Sequence, residues 1–338
     1  MRKIKIGQLG IGHNHGAERM LSLRALPEYF DIVGVAEDDP AWREKRGGLH
    51  SYEGLPMMSE AELLATPGLE AVMVEKDGRD LLPSALSCAE RKLHLCMDKP
   101  GGEDWQGFRR LCDLVRRNDL VLQLGYVYRS NPAVRFCLDA VKNGWLGEVF
   151  EIHAVMSRWD KDPYRAWLSQ FRGGAMYIFA GYLIDLVLQM LGEPQRISSF
   201  LKMTRDDGLI DNGLAVLEYP RATATVRVAV AEVEGYEHRR LIVCGTNGTL
   251  ELCPIEYKKS GIPLSVRLTL KEPRAHYASG TRMVNCGPRG DRYRGQLIEF
   301  ARSVRGEIVN PYPVEHEALV QNTLLRICGL PVGDGKTC

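Results

Sequence analysis

The chain has 338 residues, 45% of them hydrophobic and 26% charged, enough to bury a sizeable core and to fill two domains. A formal net charge of +1 excludes a global field steering it to nucleic acid or an acidic surface, and no apolar stretch approaches membrane length. The opening Met1-Arg2-Lys3-Ile4 runs into a strand with no signal-peptide hydrophobic region, so a cytoplasmic protein is expected, with neither nucleic acid nor membrane as partner.

The first predicted strand, Ile4 to Leu9, ends at Gly10-Ile11-Gly12 and leads into a helical pattern from about Gly16 to Leu26. This is the strand, glycine turn, helix order of a dinucleotide site. There the first glycine makes the turn, the second lets the backbone approach a pyrophosphate, and the helix N-terminus supplies partial positive charge. His13-Asn14-His15 stands where small residues are usual. The histidines are read as phosphate or substrate contacts or as polar turn residues, and no metal is expected although H-x-H is a possible ligand pair. A second apolar strand, Asp31 to Ala36, ends at Glu37-Asp38-Asp39. An acid at that point accepts both hydroxyls of an adenosine ribose and repels a 2′-phosphate, with no arginine beside it in sequence, so NAD is expected rather than NADP. Asp39, before Pro40, also suits the cap of the next helix.

Strands and helices then alternate: Val72 to Val74, a helix from Leu82 to Arg91, a strand from Leu93 to Met97, a helix from Trp105 to Arg117, and a strand from Val121 to Leu124. The alternation predicts an α/β, doubly wound parallel sheet of the Rossmann type over residues 1–125. The strand at Leu93 to Met97 is followed by Asp98-Lys99-Pro100. Ligands of open α/β sheets bind beyond the carboxyl ends of the strands, and the proline ends the ladder, so Lys99 is expected at a crevice rim. In isolation such a lysine would be read as a solvated charge.

After a helix from about Pro132 to Asn143 the pattern changes to alternating runs: Val149 to Arg158, Arg196 to Met203, Gly213 to Tyr219, Ala222 to Val230, Arg239 to Val243 and Leu264 to Leu270. They predict a large, open, mainly antiparallel sheet in an α+β domain over residues 126–338, with one face needing cover. Helices are expected near Met176 to Leu191, Gln296 to Arg305 and His316 to Ile327. A broad, partly apolar sheet suggests a homodimer or homotetramer. The nine cysteines are scattered and show no C-x-x-C spacing, so neither disulfides nor zinc are expected.

Gly10-x-Gly12, Glu37, Met97-Asp98-Lys99-Pro100, Tyr126 to Arg129 with Asn131-Pro132, Gly144-Trp145-Leu146-Gly147-Glu148-Val149, Gly173-Gly174 and Gly245-x-x-Gly248-x-Leu250 resemble the Gfo/Idh/MocA oxidoreductases in order and spacing over nearly the whole chain. The resemblance implies a hydride transfer to NAD from a hydroxyl of a sugar, inositol or glycoside. It implies that Lys99 holds that hydroxyl and stabilises the developing alkoxide, with Asp98, shorter than the usual Glu, orienting it.

Three departures stand out. The family's Asp, His and Asp on one helix correspond to Ile178, Tyr182 and Asp185, so the proton carrier is expected to be Tyr182, whose alternative reading is a core aromatic. In place of Thr-Pro-Asn along the cofactor the chain has Glu75-Lys76-Asp77-Gly78, read as contacts to ribose hydroxyls or substrate, or as a solvated loop. His15 takes the place of the third glycine. Polyol contacts are expected from Tyr126 and Arg129, from Trp159 and Arg165 in the segment 158–165, from Arg172, and from Tyr182 and Asp185, with ordinary surface ion pairs as the alternative for the charged residues. The implied alternatives to a dehydrogenase are an NAD-retaining enzyme that uses transient oxidation for elimination or epimerisation, and a silent sensor of NAD and sugar.

Overall fold

A computed structural model of the chain describes residues 2–13, 15–259 and 261–333. Internal contacts divide the chain into two units. The first comprises residues up to Tyr126 with Tyr293–Gln321, and the second Val127–Arg292 with Asn322–Val332. The sequence division had assigned everything after residue 125 to the second.

The first unit is a six-stranded parallel sheet of β1 (Ile4–Leu9), β2 (Phe30–Ala36), β3 (Met57–Met58), β4 (Ala71–Val74), β5 (His94–Met97) and β6 (Leu122–Leu124), in the order β3-β2-β1-β4-β5-β6. The order reverses between β1 and β4, which opens a crevice at the carboxyl ends of those strands. All four residues of β4 are buried, as befits a strand covered on both faces. The connecting helices are α1 (Gly16–Arg24), α2 (Pro40–Arg46), α3 (Glu60–Leu64), α4 (Leu81–Glu90) and α5 (Trp105–Arg117). Their starts are written locally: the Asp39 side chain accepts from Ala41 N–H with Pro40 in the first turn, Ser59 and Glu62 form a capping box, and Asp104 accepts from Gln106 N–H. Helix α5 buries Trp105, Phe108, Leu111, Cys112 and Val115, a stripe at helical spacing.

In the second unit α6 (Pro132–Lys142), capped by Asn131, leads to an eight-stranded sheet. Its strands are β7 (Val149–Ser157), β8 (Arg196–Lys202), β9 (Asn212–Glu218), β10 (Thr223–Ala229), β11 (Arg240–Gly245), β12 (Gly248–Leu252), β13 (Pro263–Leu270) and β14 (Gly280–Pro288), in the order β14-β13-β12-β11-β7-β10-β9-β8. Only the β7 and β10 pair is parallel. Register places Leu217, Ala224, Ile152, Val243, Leu250 and Leu268 in one row, all fully buried, whereas the row on the opposite face runs through Val216, Thr225, His153, Ile242, Glu251, Arg267 and Met283. The apolar face is the one that α9 (Gly181–Leu191) covers at β7 and β10.

Several elements differ from expectation. The helix predicted over Met176 to Leu191 is two, α8 (Gly174–Phe179) and α9, separated at Ala180. Residues 162–168, for which no helix is predicted from sequence, form α7 (Asp162–Leu168), started by Pro163. Strands β12 and β14 were missed, because their alternation is broken by glycine and polar residues and becomes apparent only once β13 lies between them. The chain closes with α10 (Arg294–Val304) and α11 (Val314–Ile327).

Candidate active site

At the reversal point of the parallel sheet the β1–α1 turn is pressed against the loop after β4. Gly10 has φ of +93°, and a Cβ there would lie 2.5 Å from the Lys76 nitrogen. A Cβ on Gly12 would lie 3.1 Å from both Asp77 N and the Trp42 ring. Positive φ and close packing therefore demand glycine at Gly10, and at Gly12 a side chain would press on Asp77 and the Trp42 ring. Ile11 N–H donates to Glu37 Oε2 at 3.0 Å, and Arg46 donates to the carbonyls of Ile11 (3.1 Å) and His13 (2.6 Å) while lying over the Trp42 ring. The other Glu37 oxygen accepts from Asp39 N–H at 3.1 Å and Lys76 Nζ at 3.3 Å. Glu37, expected to face a ribose, is buried and ties the turn together. An arginine does stand near it, contrary to the sequence reading: Arg43 donates to the main-chain oxygens of Glu37 and Met58.

Beside the turn lies a cleft of about 320 Å³ lined by Glu37, Asp39, Glu60, Asp77 and Asp80, with Trp42, Lys76, Pro83 and Ser84. Five carboxylates face one ammonium, and that ammonium sits 3.3 Å from Glu37 and 3.8 Å from Glu60. Acceptors in this number suit a ribose diol, and Trp42 offers an aromatic face, so the residues present fit the adenosine part of a dinucleotide. Trp42 was not singled out from sequence. Its signal is an aromatic on α2, one turn beyond the acid that ends β2.

Asp98 and Lys99 follow the carboxyl end of β5, and both are buried, Lys99 being only 3% exposed. Asp98 Oδ1 accepts the main-chain N–H of Lys99 at 2.7 Å, so the acid orients the lysine through its backbone. Asp98 Oδ2 faces both histidines of the glycine turn, His13 Nδ1 at 2.5 Å and His15 Nδ1 at 2.9 Å. Asn14, between them, lies outside the described residues. Burial lowers His15 to about 3, against the pull of Asp98, so its imidazole is neutral and donates. Burial opposes ionisation of Asp98, yet the histidines hold its carboxyl well below the usual range.

Beneath this cluster Glu75 is fully buried and paired with Arg19 of α1. It therefore sits under the turn rather than on the cofactor face where the sequence reading had placed it. Burial, reinforced by the Asp98 charge, raises its carboxyl to about 7 despite Arg19. Arg19 is the second residue that sequence reasoning missed; an arginine among the buried residues of α1, beside Met20 and Leu23, is the trace it leaves. Tyr126 is fully buried, and its carbonyl accepts from Gln296 at 3.1 Å.

The remaining predicted residues belong to the second unit. Tyr182 lies on α9, nearly buried, its ring 5.4 Å from that of Tyr128. Ile178 is buried on α8. Arg129 and Asp185 are turned toward each other: Nε donates to both carboxylate oxygens at 3.1 Å and the guanidinium to Oδ1 at 2.6 Å, and neither residue is exposed. Gln189 completes the pair at 3.0 Å. Arg165 is likewise engaged, with Asp211 at 2.8 Å and Asp207 at 2.6 Å. These three charged groups, expected to meet a polyol, bind partners within their own unit. Trp159, 57% exposed, and Arg172, exposed, keep a solvent-facing surface.

Residues 134–251 match the family model described as the GFO/IDH/MocA C-terminal domain. Over 305 residues the chain is 26% identical to an uncharacterized oxidoreductase, ORF334, of Rhizobium meliloti, covering 89% of this chain and 88% of that one. It is 22% identical over 259 residues to a myo-inositol 2-dehydrogenase of Thermotoga maritima, covering 73% and 74%. Among solved structures, the 3-ketoreductase KijD10 of Actinomadura kijaniata, in complex with TDP-benzene and NADP, superposes with a TM-score of 0.77 at 18% identity, covering 96% of each chain. An oxidoreductase of Thermotoga maritima superposes with a TM-score of 0.78 at 17% identity and 98% coverage of each.

Proposed function

We propose that the chain is a member of the Gfo/Idh/MocA oxidoreductases, enzymes of the NAD(P)-dependent type, and that it transfers a hydride between NAD and a hydroxyl of a sugar, inositol or glycoside. One observation carries the reading: a buried lysine stands beyond the carboxyl end of β5, in the unit whose glycine turn opens onto an acceptor-rich cleft. A nicotinamide cofactor held by this unit would supply the hydride acceptor.

Five carboxylates against one already engaged lysine support NAD over NADP, because a 2′-phosphate would bring further negative charge among them. Asp39 and Lys76 would hold the ribose end, and Gly10 to Gly12 would admit the backbone to the diphosphate. Lys99, its main chain fixed by Asp98, presents a cation to the substrate hydroxyl. The charge lowers the cost of removing the hydroxyl proton and stabilises the oxygen as negative charge develops on it. In its ionised form Tyr182, at the position the family gives to histidine, would accept that proton on Oη. Trp159 and Arg172 provide a ring and a guanidinium for the polyol. We also propose that a second copy of the chain covers the uncovered sheet face, where Phe200 lies opposite Leu214 and both are exposed.

Native mass spectrometry with and without NAD, followed by absorbance at the reduced-nicotinamide band over a panel of polyols and glycosides, tests the reading. NAD binding with reduction by at least one polyol is the expected result. No NAD binding would overturn it.

A further inference from the structure

The histidines in the glycine turn are not used by the reaction above. One ligand atom from each of His13, His15 and Asp98 lies within 4.8 Å of the others, and Asp98 Oδ2 is 2.5 Å from His13 Nδ1 and 2.9 Å from His15 Nδ1. Polar turn residues would face outward, yet His13 is buried and Asp98 completely so. A second observation points the same way. Glu75 Oε2 is fully buried, has no hydrogen-bond partner, and lies 3.8 Å from His13 Nδ1. Arg19 engages Oε1 of this carboxylate, which leaves Oε2, beside the His13 imidazole, for a further positive centre.

We propose that His13, His15 and Asp98 form a binding site for a divalent transition-metal ion of the zinc or ferrous class, with Glu75 as a fourth or outer carboxylate. Two imidazoles and a carboxylate are the donor set such ions prefer, and three protein ligands leave a position open for an oxygen donor. Bonds of roughly 2.0 to 2.1 Å place tetrahedral ligands about 3.3 Å apart, so the carboxylate needs to withdraw by less than an ångström to admit the ion. The ligands come from the β1–α1 turn and the end of β5, so the ion would link those two strand ends beside Lys99. The proposal extends the reading above by adding a site and does not depend on NAD as the cofactor.

The test is titration of chelator-treated full-length protein with Zn²⁺ by calorimetry, and with Co²⁺ by visible absorption, for the wild type and for His13→Gln, His15→Gln and Glu75→Gln. One equivalent per chain is expected, with visible cobalt bands, affinity falling at least 100-fold in either histidine variant and about 10-fold in Glu75→Gln. His15 is partly exposed, so His15→Gln remains informative if His13→Gln does not fold. Binding below one equivalent, or unchanged in His15→Gln, overturns the proposal. NAD titration of the same preparations separates the two readings: NAD bound without metal sinks the metal site alone, and metal bound without NAD sinks the cofactor assignment alone.

Discussion

Asp98 Oδ1 accepts the Lys99 N–H at 2.7 Å, so the acid before the lysine acts on its main chain. Replacing Asp98 with Ala removes an acceptor that three donors share and is expected to cost about 2 kcal/mol of stability, read as a lower urea midpoint. Activity of the folded variant should fall as well, because the Lys99 N–H loses the oxygen that fixes its backbone. Full activity in a folded Asp98→Ala protein would contradict that role.

The acidic cleft predicts cofactor choice. NAD should bind at least ten-fold more tightly than NADP, about 1.4 kcal/mol, in a fluorescence titration at low salt. Equal affinities would mean that Arg43 or Lys76 turns to meet the 2′-phosphate, and the argument from the five carboxylates would fail.

Arg129 and Asp185 form a closed buried pair, so Arg129→Met strands a carboxylate in the interior and should cost about 3 to 5 kcal/mol. The double variant Arg129→Met with Asp185→Leu should recover much of that loss in thermal unfolding. A double variant as unstable as the single one would argue that the pair is not the reason both residues are buried.

Glu256 collects Arg239 at 2.5 Å, Arg292 at 3.8 Å, Arg289, and the Tyr128 hydroxyl at 2.9 Å. Burial works against its charge, but the arginines hold the carboxyl below its ordinary value of 4.5. A pKa lower in the folded than in the unfolded chain contributes stability that is complete above about 4.5 and is lost as pH falls toward the folded value. Glu256→Gln should therefore be less stable at neutral pH and show a shallower loss between pH 5 and 3, measured by denaturant melts at fixed pH values. A parallel acid slope in variant and wild type would show that other carboxylates govern acid unfolding.

How much of this could be read from residues alone follows from the range of the interactions. The parallel sheet announced itself because its strands are short apolar runs between turn signals, and Gly10, Glu37 and Lys99 sit at their ends, where position in sequence sets position in space. The sheet of the second unit was legible in its central strands. Strands β12 and β14 escaped because only their neighbours supply the pattern. What the side chains bind was not legible: the partner of Arg129 is 56 positions away and the partner of His15 is 83 away, so Asp185 and Arg165 looked like substrate ligands until their counter-ions were placed. The same limit hid the pairing of Glu75, which reads from sequence as a cofactor contact or a solvated loop residue, with Arg19 under the turn.

The most direct test of the central claim is the turnover of Lys99→Met beside the wild type, with the polyol that reduces NAD fastest. The account predicts a fall in kcat of roughly 100-fold or more, with NAD affinity within a few-fold of wild type. Undiminished turnover in the folded variant would contradict the assignment of Lys99 and the mechanism built on it.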